Sequence, residues 1–312
     1  MNHTGVWDEV IPSNPITNGI HGVYSMLGLF IASFGLVSLV LKQKLYVSEA
    51  FVATFLGIVV GPYLLNWFNP QEKFGNSLFV VVMEVSRIII AIQCMATGIS
   101  TPGNYIFTEK KSMMVILGPL MLSMWLISSI GIKLLIGIDW LDAMLIGACV
   151  TPTDPILANS IVHGSFAEEN IPHHVRLLIS AESAANDGLG LAFLFLPLYL
   201  KRLGTTGLGW WVVKVLIYQV FLSIVLGAIV GTVCRKLLQN SQERNWIDKE
   251  SLLAFSIALS LAICGGLSLL GTDDILACYV AGLALSWDHW INTHIAESKI
   301  QEVIDILLNF SF

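Results

Sequence analysis

The chain alternates long apolar runs with short polar breaks. A helix crossing the hydrocarbon core needs about 20 apolar residues, and nine windows meet that need, at about 20–41, 47–68, 78–98, 112–136, 140–163, 175–200, 210–234, 252–270 and 274–290. The first holds no charge between Ile20 and Leu41. The connections are short, and the most charged runs from Arg235 to Ser251 with Arg235, Lys236, Arg244 and Lys249. No stretch has room for a soluble domain. From Glu302 the chain enters what reads as the opening of a tenth helix and stops at Phe312, so a shortened or partial membrane domain is expected. The pattern predicts an all-α polytopic membrane protein, with a terminal segment 1–19 followed by a transmembrane domain over 20–312.

Composition sharpens this reading. Of 312 residues, 55% are hydrophobic and 12% charged, against about 25% charged in soluble chains. Mean hydropathy is +0.75. A soluble enzyme, a nucleic-acid binder and a disulfide scaffold are poor readings, and a net charge of −6 implies no polyanionic partner. Cys94, Cys149, Cys234, Cys264 and Cys278 sit in or beside apolar runs and read as small membrane-buried residues, neither a disulfide framework nor a metal site.

Orientation follows the Lys and Arg balance. With the N-terminus outside, cytoplasmic loops hold Lys42, Lys44, Lys110, Lys111, Arg176, Arg235, Lys236, Arg244, Lys249 and Lys299, and the outer side holds Lys73, Lys133, Lys201, Arg202 and Lys214. That places 1–19, with the sequon at Asn2, outside. The stretch has no basic n-region and does not read as a cleaved signal peptide.

Ionisable groups inside spans cost about 2.5–3.5 kcal/mol each to insert, so they mark candidate chemistry. The fifth window holds Thr151-Pro152-Thr153-Asp154-Pro155. Prolines lack an N–H, so Pro152 and Pro155 free the carbonyls of Ala148 and Thr151. Carbonyls, the Thr151 and Thr153 hydroxyls and the Asp154 carboxylate can cradle a cation, as broken helices in transporters do. The alternative is a plain kink with Asp154 capping the resumed helix. The sixth window holds Ser180-Ala181-Glu182-Ser183-Ala184-Ala185-Asn186-Asp187-Gly188. Glu182 and Asn186 share one helix face, Ser183 and Asp187 the adjacent one. This set can hold a proton or a cation, or form a capped surface loop. Glu84 and Arg87, spaced i,i+3, read as a self-neutralising pair. Gly271-Thr272-Asp273-Asp274 reads either as an exposed turn favouring the next helix N-terminus or as part of ion entry. His163, His173 and His174 form either a solvated loop or a pH sensor.

The segments around 148–158 and 177–188, with Gly61-Pro62, Asn66-Trp67-Phe68-Asn69-Pro70, Glu84, Arg87 and Gly271-Thr272-Asp273-Asp274, resemble the cation/proton antiporter family, most of all the fungal plasma-membrane Na⁺/H⁺ antiporters. The resemblance implies about thirteen spans in two inverted repeats. It also implies a broken crossing helix at the fifth span, homodimers, and a second half that extends beyond Phe312. It makes Asp187 the Na⁺ and proton carrier and Asn186 its partner. Asp154, Thr153 and Thr151 then belong to the break, with Glu182, Ser183, Pro152, Pro155, Asp273 and Asp274 in support. The implied activity is exchange of cytosolic Na⁺, with K⁺ or Li⁺ as further candidates, for external H⁺ across the plasma membrane, serving cation tolerance and pH homeostasis. No cofactor and no nucleic acid are implied. Rival readings are a cation channel, an intramembrane hydrolase using Asp154 and Asp187, and a non-transporting relative that pairs with complete copies.

Overall fold

The computed structural model describes residues 25, 28–36, 49–66, 69–154, 158, 162, 165–247, 249–288 and 290–291. Asn2, Lys42, Lys44, Pro155, His163 and the helix expected from Glu302 lie outside the described residues. Every regular element among the described residues is helical. We label 28–36 α1, Glu49–Val60 α2, Leu78–Ser100 α3, Lys110–Ile136 α4, Trp140–Cys149 α5, His173–Leu203 α6, Thr206–Glu243 α7, Lys249–Leu269 α8 and Asp274–Leu285 α9. Each falls on one of the nine apolar windows. Four helical runs, Gly75–Ser100, α4, α6 and α7, are long and apolar enough to cross a bilayer. The molecule is an all-α polytopic membrane protein.

The helix ends follow local chemistry. Asn69 caps the short helix Pro70–Phe74, accepting from the Glu72 amide at 3.4 Å, with Pro70 at the first position where no amide is needed. Asp139 caps α5 through the Leu141 amide at 3.3 Å. α4 ends at Gly137, whose φ of 76° is left-handed and whose amide bonds Lys133 O. Pro119 sits inside α4, and there the helix widens into a π turn over Ile116–Leu120. α7 outruns its apolar window. It continues to Glu243, so the polar connection expected from Arg235 to Ser251 shortens to the residues after Glu243. Arg235 and Lys236 are good helix formers, and Arg235 approaches Asp288 at 3.7 Å.

The chain divides into two compact units between residues 86 and 87. In the first, Phe34 of α1 is buried beside Phe30. In the second, α9 is the most enclosed helix. Its twelve residues rise about 18 Å, short of the ~30 Å hydrocarbon core. It is surrounded by protein: Ala91, Met95 and Ile99 of α3, Leu238 of α7 and Leu259, Ile263 and Leu267 of α8 pack round Ala277, Ala281 and Leu285. Small residues allow this. Gly227 and Gly231 of α7 lie on Ala277 and Ala281 of α9. Gly98 of α3 meets Gly282 of α9, where a Cβ on Gly282 would stand 2.5 Å from the Met95 carbonyl oxygen and 3.0 Å from Gly98 Cα. Both obstacles are backbone, so Gly282→Val forces α3 and α9 apart. A loss of about 1–3 kcal/mol is expected from overpacking, read as a lower melting midpoint and lower membrane abundance.

Candidate functional site

The second unit holds the broken helix. α5 stops at Cys149, because Pro152 offers no amide to the Ala148 carbonyl. The buried Thr151 turns its hydroxyl back onto Gly147 O at 2.7 Å, satisfying one of the carbonyls left at the helix end. The Ala158 amide bonds Asp154 O at 3.0 Å, and Ala158 is helical. Among the described residues, Val150 to Asp154 are non-helical. Pro152 lies against α6 at Gly190, where a Cβ would stand 2.6 Å from Pro152 Cγ.

α6 meets this break with its polar face. Asn186, 1% exposed, is the hub. Its side-chain oxygen accepts from the Thr153 amide at 3.3 Å, and its NH₂ donates to Thr153 Oγ1 at 2.9 Å and to Glu182 Oε1. Thr153 Oγ1 in turn donates to Glu182 Oε2 at 3.2 Å. Backbone freed by the break is thus bound by a side chain 33 residues away, and the Glu182 carboxylate is satisfied by two donors. Ser183 bonds Ser180 O at 3.0 Å within its own helix.

Asp187 differs from Glu182. It is half-buried, with Asp154 and Glu182 as its charged neighbours, and among the described residues its carboxylate joins no hydrogen bond or ion pair. Asp154 is exposed. Among the described residues no group of three His, Cys, Asp or Glu side chains is set to hold a metal ion. The arrangement is one open carboxylate beside a satisfied one, with amide and hydroxyl oxygens around them.

The remaining sequence candidates lie on other elements. The turn before α9 is buried: Asp273 is 3% and Asp274 5% exposed. Asp273 caps α9 through the Leu276 amide at 3.0 Å. Asp274 receives Arg87 Nε at 2.9 Å, a partner 187 residues from Arg87 that local spacing did not reveal. Glu84 lies one turn before Arg87 on α3. His173 and His174 are exposed in the first turn of α6. Two contacts escaped the sequence reading altogether: the Cys94 thiol of α3 faces Ala184 O at 3.8 Å, and the Tyr279 hydroxyl of α9 donates to Ala181 O at 3.2 Å. Both use α6 backbone carbonyls, so no residue pattern announces them.

A helix broken by proline and packed on the polar face of a membrane-spanning helix is the arrangement that the resemblance to the cation/proton antiporters implies. The same fold is found in the sodium proton antiporter MjNhaP1 from Methanocaldococcus jannaschii, with a TM-score of 0.65 and 18% identity, covering 93% of this chain and 69% of that one. The family model for the sodium/hydrogen exchanger transmembrane region matches residues 29–312, and the chain belongs to that family of transporters. It is 41% identical over 297 residues to the Na(+)/H(+) antiporter 2 of Zygosaccharomyces rouxii, covering 94% of this chain and 36% of that protein. It is 38% identical over 311 residues to the Na(+)/H(+) antiporter of Saccharomyces cerevisiae, covering 98% of this chain and 31% of that protein. A probable Na(+)/H(+) antiporter of Schizosaccharomyces pombe is 38% identical over 312 residues, 98% of this chain and 40% of that protein. The chain thus spans about a third of the length of these relatives.

Proposed function

We propose that the protein is a secondary active antiporter that exchanges cytosolic Na⁺, with K⁺ or Li⁺ as further candidates, for external H⁺ across the plasma membrane. The observation that carries this reading is the half-buried Asp187 carboxylate, left open beside the Thr153–Glu182–Asn186 network at the helix break. A single open carboxylate can carry a proton or a cation but not both. A proton neutralises it covalently, and a cation neutralises it by contact with the help of nearby neutral oxygens. Hard cations favour such oxygens. Competition for one group couples the two flows without any nucleotide. The relatives bear the name Na⁺/H⁺ antiporter, which supports the choice of ions. The N-terminus is outside, two copies form a dimer, and exchange serves cation tolerance and pH homeostasis.

The test is a sealed vesicle carrying the protein and a pH-sensitive dye. An imposed Na⁺ gradient is expected to drive proton movement in the opposite direction, with K⁺ and Li⁺ gradients tested in turn. Current carried by Na⁺ without any proton counterflow would overturn the exchange reading in favour of a channel.

A further inference from the structure

The first turn of α9 holds a charge pair that the exchange step does not use. Arg87 Nε of α3 lies 2.9 Å from Asp274 Oδ2, and the Cys264 thiol of α8 donates to that same oxygen at 2.9 Å. One buried carboxylate oxygen therefore ties three helices together. An arginine inside a membrane span is costly to insert, and a buried charge that loses its partner stays uncompensated. Arg87 and Asp274 thus fix each other.

This clamp adjoins the cation site. Asp273, next to Asp274, holds the Leu276 amide. Leu276 packs on α6 where the chain carries Gly188, the residue after Asp187. A Cβ on Gly188 would stand 2.7 Å from Leu276 Cβ and 2.9 Å from Leu276 Cα. Two further contacts join α6 to the same wall, Tyr279 to Ala181 O and Cys94 to Ala184 O. The backbone of α6 is therefore braced against α9 and α3 beside Asp187, while Asn186 and Glu182 engage the broken helix. We propose that Arg87 is a positioning residue of the cation site: by holding Asp274 it holds the first turn of α9 against Gly188 and so sets where Asp187 stands. The inference rests on the reading of Asp187 as the exchanging carboxylate.

The experiment compares the wild type with Arg87→Gln, Asp274→Asn and the charge-exchanged pair Arg87→Asp with Asp274→Arg. Two readouts are taken per molecule of protein in the membrane. The first is the apparent KM for Na⁺ separated from the maximal rate. Arg87→Gln and Asp274→Asn are expected to raise KM about tenfold, with the larger part of that change recovered in the charge-exchanged pair. A merely structural role lowers abundance and leaves the KM of the surviving molecules alone. The second readout is alkylation of Cys94 by N-ethylmaleimide without any ion gradient. Cys94 is fully buried against α6, and Arg87→Gln is expected to speed its alkylation about tenfold as the brace opens. Wild-type KM in Arg87→Gln, or wild-type Cys94 protection, overturns the positioning role. Absence of exchange in the wild type, with Cys94 opened by Arg87→Gln, contradicts the exchange reading and leaves the brace standing. Where Arg87→Gln does not accumulate, Asp274→Asn, nearly equal in size to the native residue, carries both readouts.

Discussion

Asp187→Asn is expected to lower Na⁺-driven proton movement by roughly a hundredfold or more, with the protein still folded and inserted. Asparagine keeps the shape of the side chain but has no exchangeable proton and no charge for Na⁺. Loss of one partner from a buried charge pair costs about 3–5 kcal/mol, and each 1.4 kcal/mol is about tenfold in affinity. Folding is expected to survive, because the native carboxylate joins no hydrogen bond or ion pair among the described residues. The measurement is the initial rate of dye response in vesicles, with the amount of inserted protein determined in parallel. Near-normal exchange by Asp187→Asn would return Asp154 to consideration as the carrier.

The other large effect belongs to Asn186, and it separates stability from chemistry. Asn186→Leu keeps the branching and the number of side-chain heavy atoms but deletes the acceptor for the Thr153 amide and the donor to Thr153 Oγ1 and Glu182. A buried polar group left unsatisfied costs about 1–3 kcal/mol, and more if charged. Glu182 keeps only the Thr153 hydroxyl. A loss of about 2–5 kcal/mol is expected, read as a lower melting midpoint in detergent and a collapse of exchange. Asn186→Leu should therefore fail in both assays, and Asp187→Asn in exchange alone. Equal melting of Asn186→Leu and wild type would mean that the break is held by something other than this hub.

What could be seen in the residues alone was whatever is written locally. The helix starts are one example: α9 begins at Asp274 as the polar turn before it requires, since Asp273 is a side-chain cap. The break is another, because Pro152 removes a specific amide and α5 ends two residues before Thr151 for that reason. The polar face of α6 was legible from the i,i+4 spacing of Glu182 and Asn186. Long-range pairing was not. Arg87 has Glu84 one turn away, and spacing alone points to that local pair. Asp274 comes within reach of Arg87 through the packing of α3 on α9, which no local spacing records. The π-helical run Val212–Phe221 in α7 was likewise hidden, because helix type is set by the backbone hydrogen-bonding register, which a largely apolar run does not display. The extension of α7 to Glu243 was missed because hydropathy marks where lipid ends and carries no information on where helical hydrogen bonding ends.

The division of labour between the two carboxylates of α6 is the centre of this account. Glu182 is tied to Thr153 and Asn186 at the break, whereas Asp187, whose carboxylate joins no hydrogen bond or ion pair among the described residues, is the proposed ion carrier. Cation binding to a group that also holds a proton must release that proton. The most direct measurement is therefore the number of protons released into weakly buffered solution per Na⁺ bound to the purified protein, under conditions where Asp187 is protonated before Na⁺ is added. About one proton per Na⁺ is predicted for the wild type, and none for Asp187→Asn. Sodium binding with no proton release from the wild type, or unchanged release from Asp187→Asn, would contradict the assignment.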